Sequence, residues 1–218
     1  YGGGRHHGST VDDIFYGVTM DQNVGTAVYA VGCAGLGSQE NALIVQYNYN
    51  TLGFIQGKIY DSSTSEYYNL YDSFTAAAND GGNSGNIYAV GYTYDAWAGD
   101  ALIGRIGMSN LPLSRSQILA GSLEDEFWGV TWWGGNIYAV GSTQSVPPGW
   151  DWDALMLKLD DDIPPGQSAL GCLIYENKNF RENSLQDNVH LDILENFPGI
   201  ENTGLMYDNM PLDENNCH

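Results

Sequence analysis

The sequence predicts an all-β fold assembled from recurring units of four short antiparallel strands. Three observations carry the prediction. One strand-like heptapeptide, Gly-Asn-Ile-Tyr-Ala-Val-Gly, occurs at Gly85–Gly91 and again at Gly135–Gly141, with a shorter copy, Ala-Val-Tyr-Ala-Val-Gly, at Ala27–Gly32. The segments around the three copies recur in the same order. Composition completes the case: 28 glycines and 15 tyrosines against 16% charged residues describe a turn-rich β protein rather than a helical one.

The first strand of each unit is read from Asp12–Met20, Tyr71–Asn79 and Glu124–Trp132, each an acid followed two residues later by an aromatic and then by small or β-branched residues. The second is the shared heptapeptide, whose tyrosines Tyr29, Tyr88 and Tyr138 recur at intervals of 59 and 50 residues. It is apolar on both faces, with Ile87 and Ala89 on one and Tyr88 and Val90 on the other, as expected of a strand with a layer packed on either side. The small Ala89 and Ala139 leave room for a neighbouring sheet. The closing glycines, Gly32, Gly91 and Gly141, read as turns to the next strand. The Gly134-Gly135-Asn136 run before the second strand signals a tight hairpin.

The third strand, Glu40–Asn48, Gly99–Gly107 and Trp152–Asp160, keeps an Ala-Leu step in every unit. In the last copy, Leu155, Leu157 and Leu159 alternate with Met156 and Lys158, the pattern of a half-exposed strand. The fourth strand is read from Leu52–Asp61, Leu113–Ser122 and, more loosely, Ser168–Asn177. Units of this size with four strands each fit the blades of a propeller-like array. Residues 1–167 hold about three blades and start mid-repeat; residues 168–218 form a degenerate last blade or a C-terminal β extension. Within that tail, Asn188–Leu194 alternates like a strand, whereas Phe197–Gly204 and Met210–His218 read as loops.

The succession of acid-x-aromatic-x-Gly-Val, Gly-Asn-Ile-Tyr-Ala-Val-Gly and Asp-Ala-Leu resembles the bacterial and archaeal beta-propeller repeat of secreted and cell-surface proteins. That resemblance implies an extracellular scaffold or binding module and supplies no catalytic residue. The chain departs from the pattern in showing only three clear repeats, whereas closed propellers generally need at least four blades.

Charge narrows the partners. There are 27 acids and 7 bases, net −20. Such a surface repels nucleic-acid phosphates and anionic membranes and leaves hard cations such as calcium as candidates. No apolar run approaches the ~18 residues of a membrane span. The chain opens at Tyr1 with no hydrophobic leader, so either a leader has been removed or the chain belongs to something longer. Asn-x-Ser/Thr glycosylation sequons are absent.

Several clusters invite a chemical reading. Acids gather at Asp12/Asp13, Glu124–Glu126 and Asp160–Asp162, and their recurrence at equivalent repeat positions suits turns and solubility better than a glycosidase pair. Calcium is conceivable at Asp151/Asp153 or Asp160–Asp162, although no complete loop of alternating oxygen ligands is present. His6 and His7 point to opposite sides of an extended chain, which disfavours a shared metal. Trp128, Trp132 and Trp133 lie on a strand and read as core. Trp97, Trp150 and Trp152 lie in the loops between second and third strands, where exposed rings stack on sugars or clamp loops. Of three cysteines, Cys172 and Cys217 are a candidate disulfide, with Cys33 the free thiol; three reduced cysteines are the alternative.

These readings lead to a non-enzymatic extracellular structural and interaction protein without a required cofactor. It is expected to self-associate into a filament or other assembly, because an incomplete array leaves a blade face uncovered. A lectin-like glycan-binding propeller is the alternative, and an enzyme acting on polysaccharide comes third.

Overall fold

The structure is a computed structural model. It describes residues 13–21, 25–36, 39–62, 71–82, 85–94, 98–145, 151–160, 163, 168–170, 173–177 and 180–184. The described residues are all-β. Three antiparallel meanders succeed one another along the chain. β1 (Asp13–Met20), β2 (Ala27–Leu36), β3 (Gln39–Asn48) and β4 (Phe54–Asp61) make the first. β5 (Tyr71–Asn79), β6 (Asn86–Tyr94), β7 (Gly99–Gly107) and β8 (Leu113–Ala120) make the second. β9 (Asp125–Trp133), β10 (Asn136–Thr143) and β11 (Asp153–Asp160) make a third, three-stranded sheet. A single parallel pair, Glu40 with Tyr71, joins the first meander to the second. The strand path does not close on itself among the described residues.

The C-terminal segments depart from expectation. Ser168–Asn177 does not extend the third sheet. It forms a hairpin of β12 (Ser168–Leu170) and β13 (Leu173–Asn177), and β13 pairs with the free edge of β8. The short β14 (Arg181–Ser184) pairs with the free edge of β4. Among the described residues, these C-terminal strands thus extend the outer edges of the first two sheets rather than the third. The expected strand at Asn188–Leu194 and the loops beyond it lie outside the described residues, as do Cys172 and Cys217. Cys33 is buried and free.

Side-chain alternation explains how the sheets stack. On β6, Ile87 and Ala89 pack with Tyr29, Val31, Ala42 and Ile44 of the first sheet. Tyr88 and Val90 pack with Phe127, Ile137 and Ala139 of the third. The middle sheet is thus covered on both faces, which is what a strand without a polar side requires. Two hydrogen bonds cross between first strands of successive sheets: Asn79 Nδ2 donates to the Met20 carbonyl, and Thr75 Oγ1 donates to the Phe127 carbonyl at 2.6 Å.

Each first strand carries a bulge, at Phe15/Gly17, Phe74/Ala76 and opposite Val140/Gly141. The bulges reassign Gly32, Gly91 and Gly141. These glycines lie inside strands, not in turns. A Cβ on them would sit 1.8 Å from the Ile14 carbonyl oxygen, 1.9 Å from that of Ser73 and 1.8 Å from that of Glu126. Their role is to admit the bulged backbone of the neighbouring strand. The Gly134-Gly135 hairpin holds as read, with both residues at positive φ (59° and 79°) between paired Trp133 and Asn136.

Candidate functional site

The most distinctive surface is the face of the third sheet turned away from the second. Alternation on β9–β11 sends Phe127, Ile137, Ala139 and Leu157 inward. The intervening side chains point out. Trp128 is 54% exposed, Trp133 75%, Val140 45% and Met156 69%. Tyr138 shares this face, with the Lys158 ammonium 5.9 Å from its ring centre. The Trp128 indole N–H donates to Ser142 Oγ at 3.0 Å and holds the ring along the sheet. Core packing was therefore the right expectation for Trp132 alone of the three β9 tryptophans; Trp128 and Trp133 are surface residues. Strand alternation puts Trp132 and Trp133 on opposite faces, but which face another sheet covers, and the bulge after Phe127 that turns Trp128 outward, have no local sequence signal.

The equivalent residues elsewhere are not exposed. Tyr138, Val140, Ala154 and Met156 align with Tyr88, Val90, Ala101 and Ile103, which are fully buried between the second and third sheets. They also align with Tyr29, Val31, Ala42 and Ile44, buried between the first and second. Gly129 tells the same story at backbone level. A Cβ on its counterpart Gly17 would meet the Ala76 Cα and the Thr75 carbonyl oxygen, both at 2.9 Å, because β5 lies hard against β1 there. A Cβ on Gly129 would meet only a methyl of its own sheet, Val140 Cγ2 at 3.2 Å.

The acids of the recurring segments are structural. Asp72 and Asp125 are fully buried, which rules out a solubilising role for them. Asp72 accepts from the Ser62 amide at 2.8 Å and the Ser62 hydroxyl at 2.7 Å. Asp125 accepts from the Thr143 hydroxyl and, at 3.0 Å, from the Ser145 hydroxyl. Burial pushes the Asp125 carboxyl up from its ordinary range, opposed by these hydrogen bonds and one from Gly121. Asp13 accepts from the Gly35 amide at 3.1 Å. Asp13 and Asp125 tie the start of the first strand to the end of the second, and Asp72 ties the start of β5 to Ser62, just after β4 of the preceding sheet.

At that same end lies a second group of polar aromatics. Tyr92 and Tyr94 meet edge to face at 5.2 Å between ring centres, and Tyr94 Oη donates to Glu126 Oε1 at 2.5 Å. Desolvation, then the Glu126 contact, hold the Tyr94 phenol protonated far above its ordinary value. Trp152, one residue before β11, is exposed here. Trp97 and Trp150 lie outside the described residues. No group of three or more potential metal-ligating His, Cys, Asp or Glu side chains occurs among the described residues, and no described helix is long and apolar enough to cross a membrane. No protein-family model and no curated protein matches the chain.

Proposed function

We propose that the chain is an extracellular structural and interaction protein, built from propeller-type repeats, that works by self-association. The observation that carries this reading is the outer face of the third sheet, which no other described strand covers. Its tyrosine, valine, alanine and methionine occupy positions that another sheet buries in both preceding units. Exposed contiguous apolar surface of this kind marks an interaction site. The charges of the face sit toward one margin, Lys158 beside Tyr138 and Asp160 opposite Asn136, and its centre carries Val140, Ala154 and Met156, although the chain has 27 acids against 7 bases. A chain selected for a solvated surface would place charge there. Size-exclusion chromatography with light scattering at two protein concentrations tests the reading: a mass above 23.8 kDa that grows with concentration is expected, and a strict monomer at all concentrations removes it.

A glycan-binding function is the second reading, favoured by Trp152 standing exposed at the sheet end that also holds Tyr92, Tyr94 and Glu126. Rings beside hydrogen-bonding carboxylates suit sugar faces. Under this reading Trp152→Ala abolishes binding on a glycan array and leaves the melting temperature unchanged.

A further inference from the structure

We propose that the sheet end holding Tyr92, Tyr94 and Glu126 binds an organic ammonium group. The proposal goes beyond the glycan reading, with which it shares this end of the molecule, by requiring positive charge in the ligand.

The repeats show that the grouping is not a demand of the fold. Positions equivalent to Tyr92 carry Cys33 and Ser142, those equivalent to Tyr94 carry Gly35 and Gln144, and those equivalent to Glu126 carry Ile14 and Ser73. Gly99 stands where the other sheets have Glu40 and Trp152. A Cβ on Gly99 would lie 2.6 Å from the Tyr94 ring, so the glycine is what lets that ring settle over β7. Four departures from the repeat thus meet at one place, and the other two sheets form their strands without them.

The geometry suits a cation. Tyr92 and Tyr94 are two residues apart on β6 and share a face, with 5.2 Å between ring centres and 76° between ring planes. Tyr71, directly opposite Tyr94 on β5, adds a third ring to that face and is 39% exposed. Glu126 of the third sheet completes the group. It is only 8% exposed, its Oε1 accepts from Tyr94 Oη, and no cation pairs with it among the described residues. A carboxylate buried to this degree without a counter-charge favours a cationic partner. Glu40 acts on the Tyr92 phenol and Glu124 on that of Tyr94, which adds to the negative potential. The Tyr94 hydroxyl fixes the Glu126 carboxylate through Oε1 and leaves Oε2 to the ligand. Aromatic faces attract cations, and an ammonium that carries alkyl groups offers them both charge and apolar contact. A bare metal ion is less well served, since no group of three or more His, Cys, Asp or Glu ligands occurs among the described residues.

Choline is the probe, and 3,3-dimethylbutan-1-ol, which has its shape without its charge, is the control. Calorimetric titration of the full chain is expected to show saturable choline binding at least ~10-fold tighter than that of the alcohol. Glu126→Gln is expected to weaken choline binding by ~10-fold or more, and Tyr92→Leu by several-fold, while Tyr92→Phe, which keeps the ring, binds as the wild type does. Circular dichroism of each variant checks that it folds, and the near-isosteric Glu126→Gln and Tyr92→Phe carry the test if Tyr92→Leu does not. Equal binding of choline and the alcohol, or a Glu126→Gln chain that binds choline as tightly as wild type, overturns the proposal. A glucosamine oligomer and its N-acetylated counterpart separate it from the glycan reading. Preference for the charged oligomer supports both. Binding of the acetylated oligomer without binding of choline overturns the ammonium site and leaves the glycan reading standing. Binding of choline and of neither oligomer does the reverse, and binding of none of the three overturns both.

Discussion

Gly91 shows how one atom decides the middle sheet. It lies on β6 with its missing Cβ 1.9 Å from the Ser73 carbonyl oxygen and 2.9 Å from the Phe74 Cα. Both obstacles are backbone, so no rotamer change relieves them. Gly91→Ala is expected to cost at least ~3 kcal/mol, the upper range for overpacking, and urea unfolding would read it directly. Gly25, which has nothing within 4 Å of a Cβ but a φ of 59°, is expected to cost only ~1 kcal/mol as alanine. Asp125 is the second decisive residue. All its partners donate to it, so Asp125→Asn sets an amide N–H against the Thr143 and Ser145 hydroxyls. We expect a loss of ~2 kcal/mol at pH 7, the range for a buried hydrogen-bonding mismatch. The pH dependence has a defined sign. The folded pKa of Asp125 is raised above the unfolded value, so the folded state holds the proton more tightly. Its contribution to stability is greatest below the unfolded pKa and is lost as pH rises through the folded pKa. The stability difference between wild type and Asp125→Asn should therefore be largest at acid pH and shrink as pH rises through the folded pKa, as read by equilibrium unfolding of both, and the wild type alone should carry this titration.

At the scale of elements, the strands were legible because their sequence signals are local and mutually consistent. Ile87–Val90 is apolar on both faces and is buried on both; Leu155, Leu157 and Leu159 alternate with Met156 and Lys158, and only the leucines pack inward. What the sequence concealed depends on partners. Gly91 reads as a strand terminus until Phe74 is seen to bulge against it. Asp72 and Asp125 read as surface acids until the hydroxyls of Ser62, Thr143 and Ser145 are brought beside them. Ser168–Asn177 was read as a fourth strand by its rank in the series, but Ile174 to Asn177 pair with Gln117 to Ala120 instead. Edge pairing is set by which edge is vacant, and no local pattern records that. The exposed Trp128 and Trp133 were missed for the same reason: a tryptophan-rich strand looks like core unless the absence of the next sheet is known. The element-level test is Tyr60→Phe. Tyr60 Oη donates to the Leu111 carbonyl at 2.8 Å, joining β4 to the loop after β7. Its removal leaves that buried carbonyl without this donor, at an expected cost of ~1–2 kcal/mol.

At the scale of the whole molecule, cohesion rests on apolar contacts between sheets rather than on charge. With a net charge of −20, the compact state works against its own repulsion, and screening should relieve it. The contact of Lys58 with Glu182 at 3.5 Å is a partly exposed pair that contributes little. Sheet separation can be followed through the tyrosines that lie in the seam. Tyr29 sits fully buried between the first and second sheets, and desolvation, with a smaller effect from Asp21, pushes its phenol from about 10 up to about 12. Tyr60, in the same seam, is held well above its ordinary value by burial first and then by Glu182. Both are neutral in the folded protein, Tyr60 donating to the Leu111 carbonyl and Tyr29 accepting from the Gln46 amide at 3.1 Å. Because their folded pKa values exceed the unfolded ones, the stability they confer is fully present below pH 10 and is lost as pH climbs from 10 through the folded values, about 12 for Tyr29. Over that window the unfolded chain ionises its phenols while the folded chain cannot, so each step in pH favours opening of the seam. Alkaline titration followed by tyrosinate absorbance and circular dichroism should show the buried tyrosines ionising together with loss of β signal, in one transition above pH 10. Ionisation of the full tyrosine complement with the β signal intact would mean that Tyr29 and Tyr60 reach solvent without separating the sheets, and the seam would then not be what holds the first two sheets together.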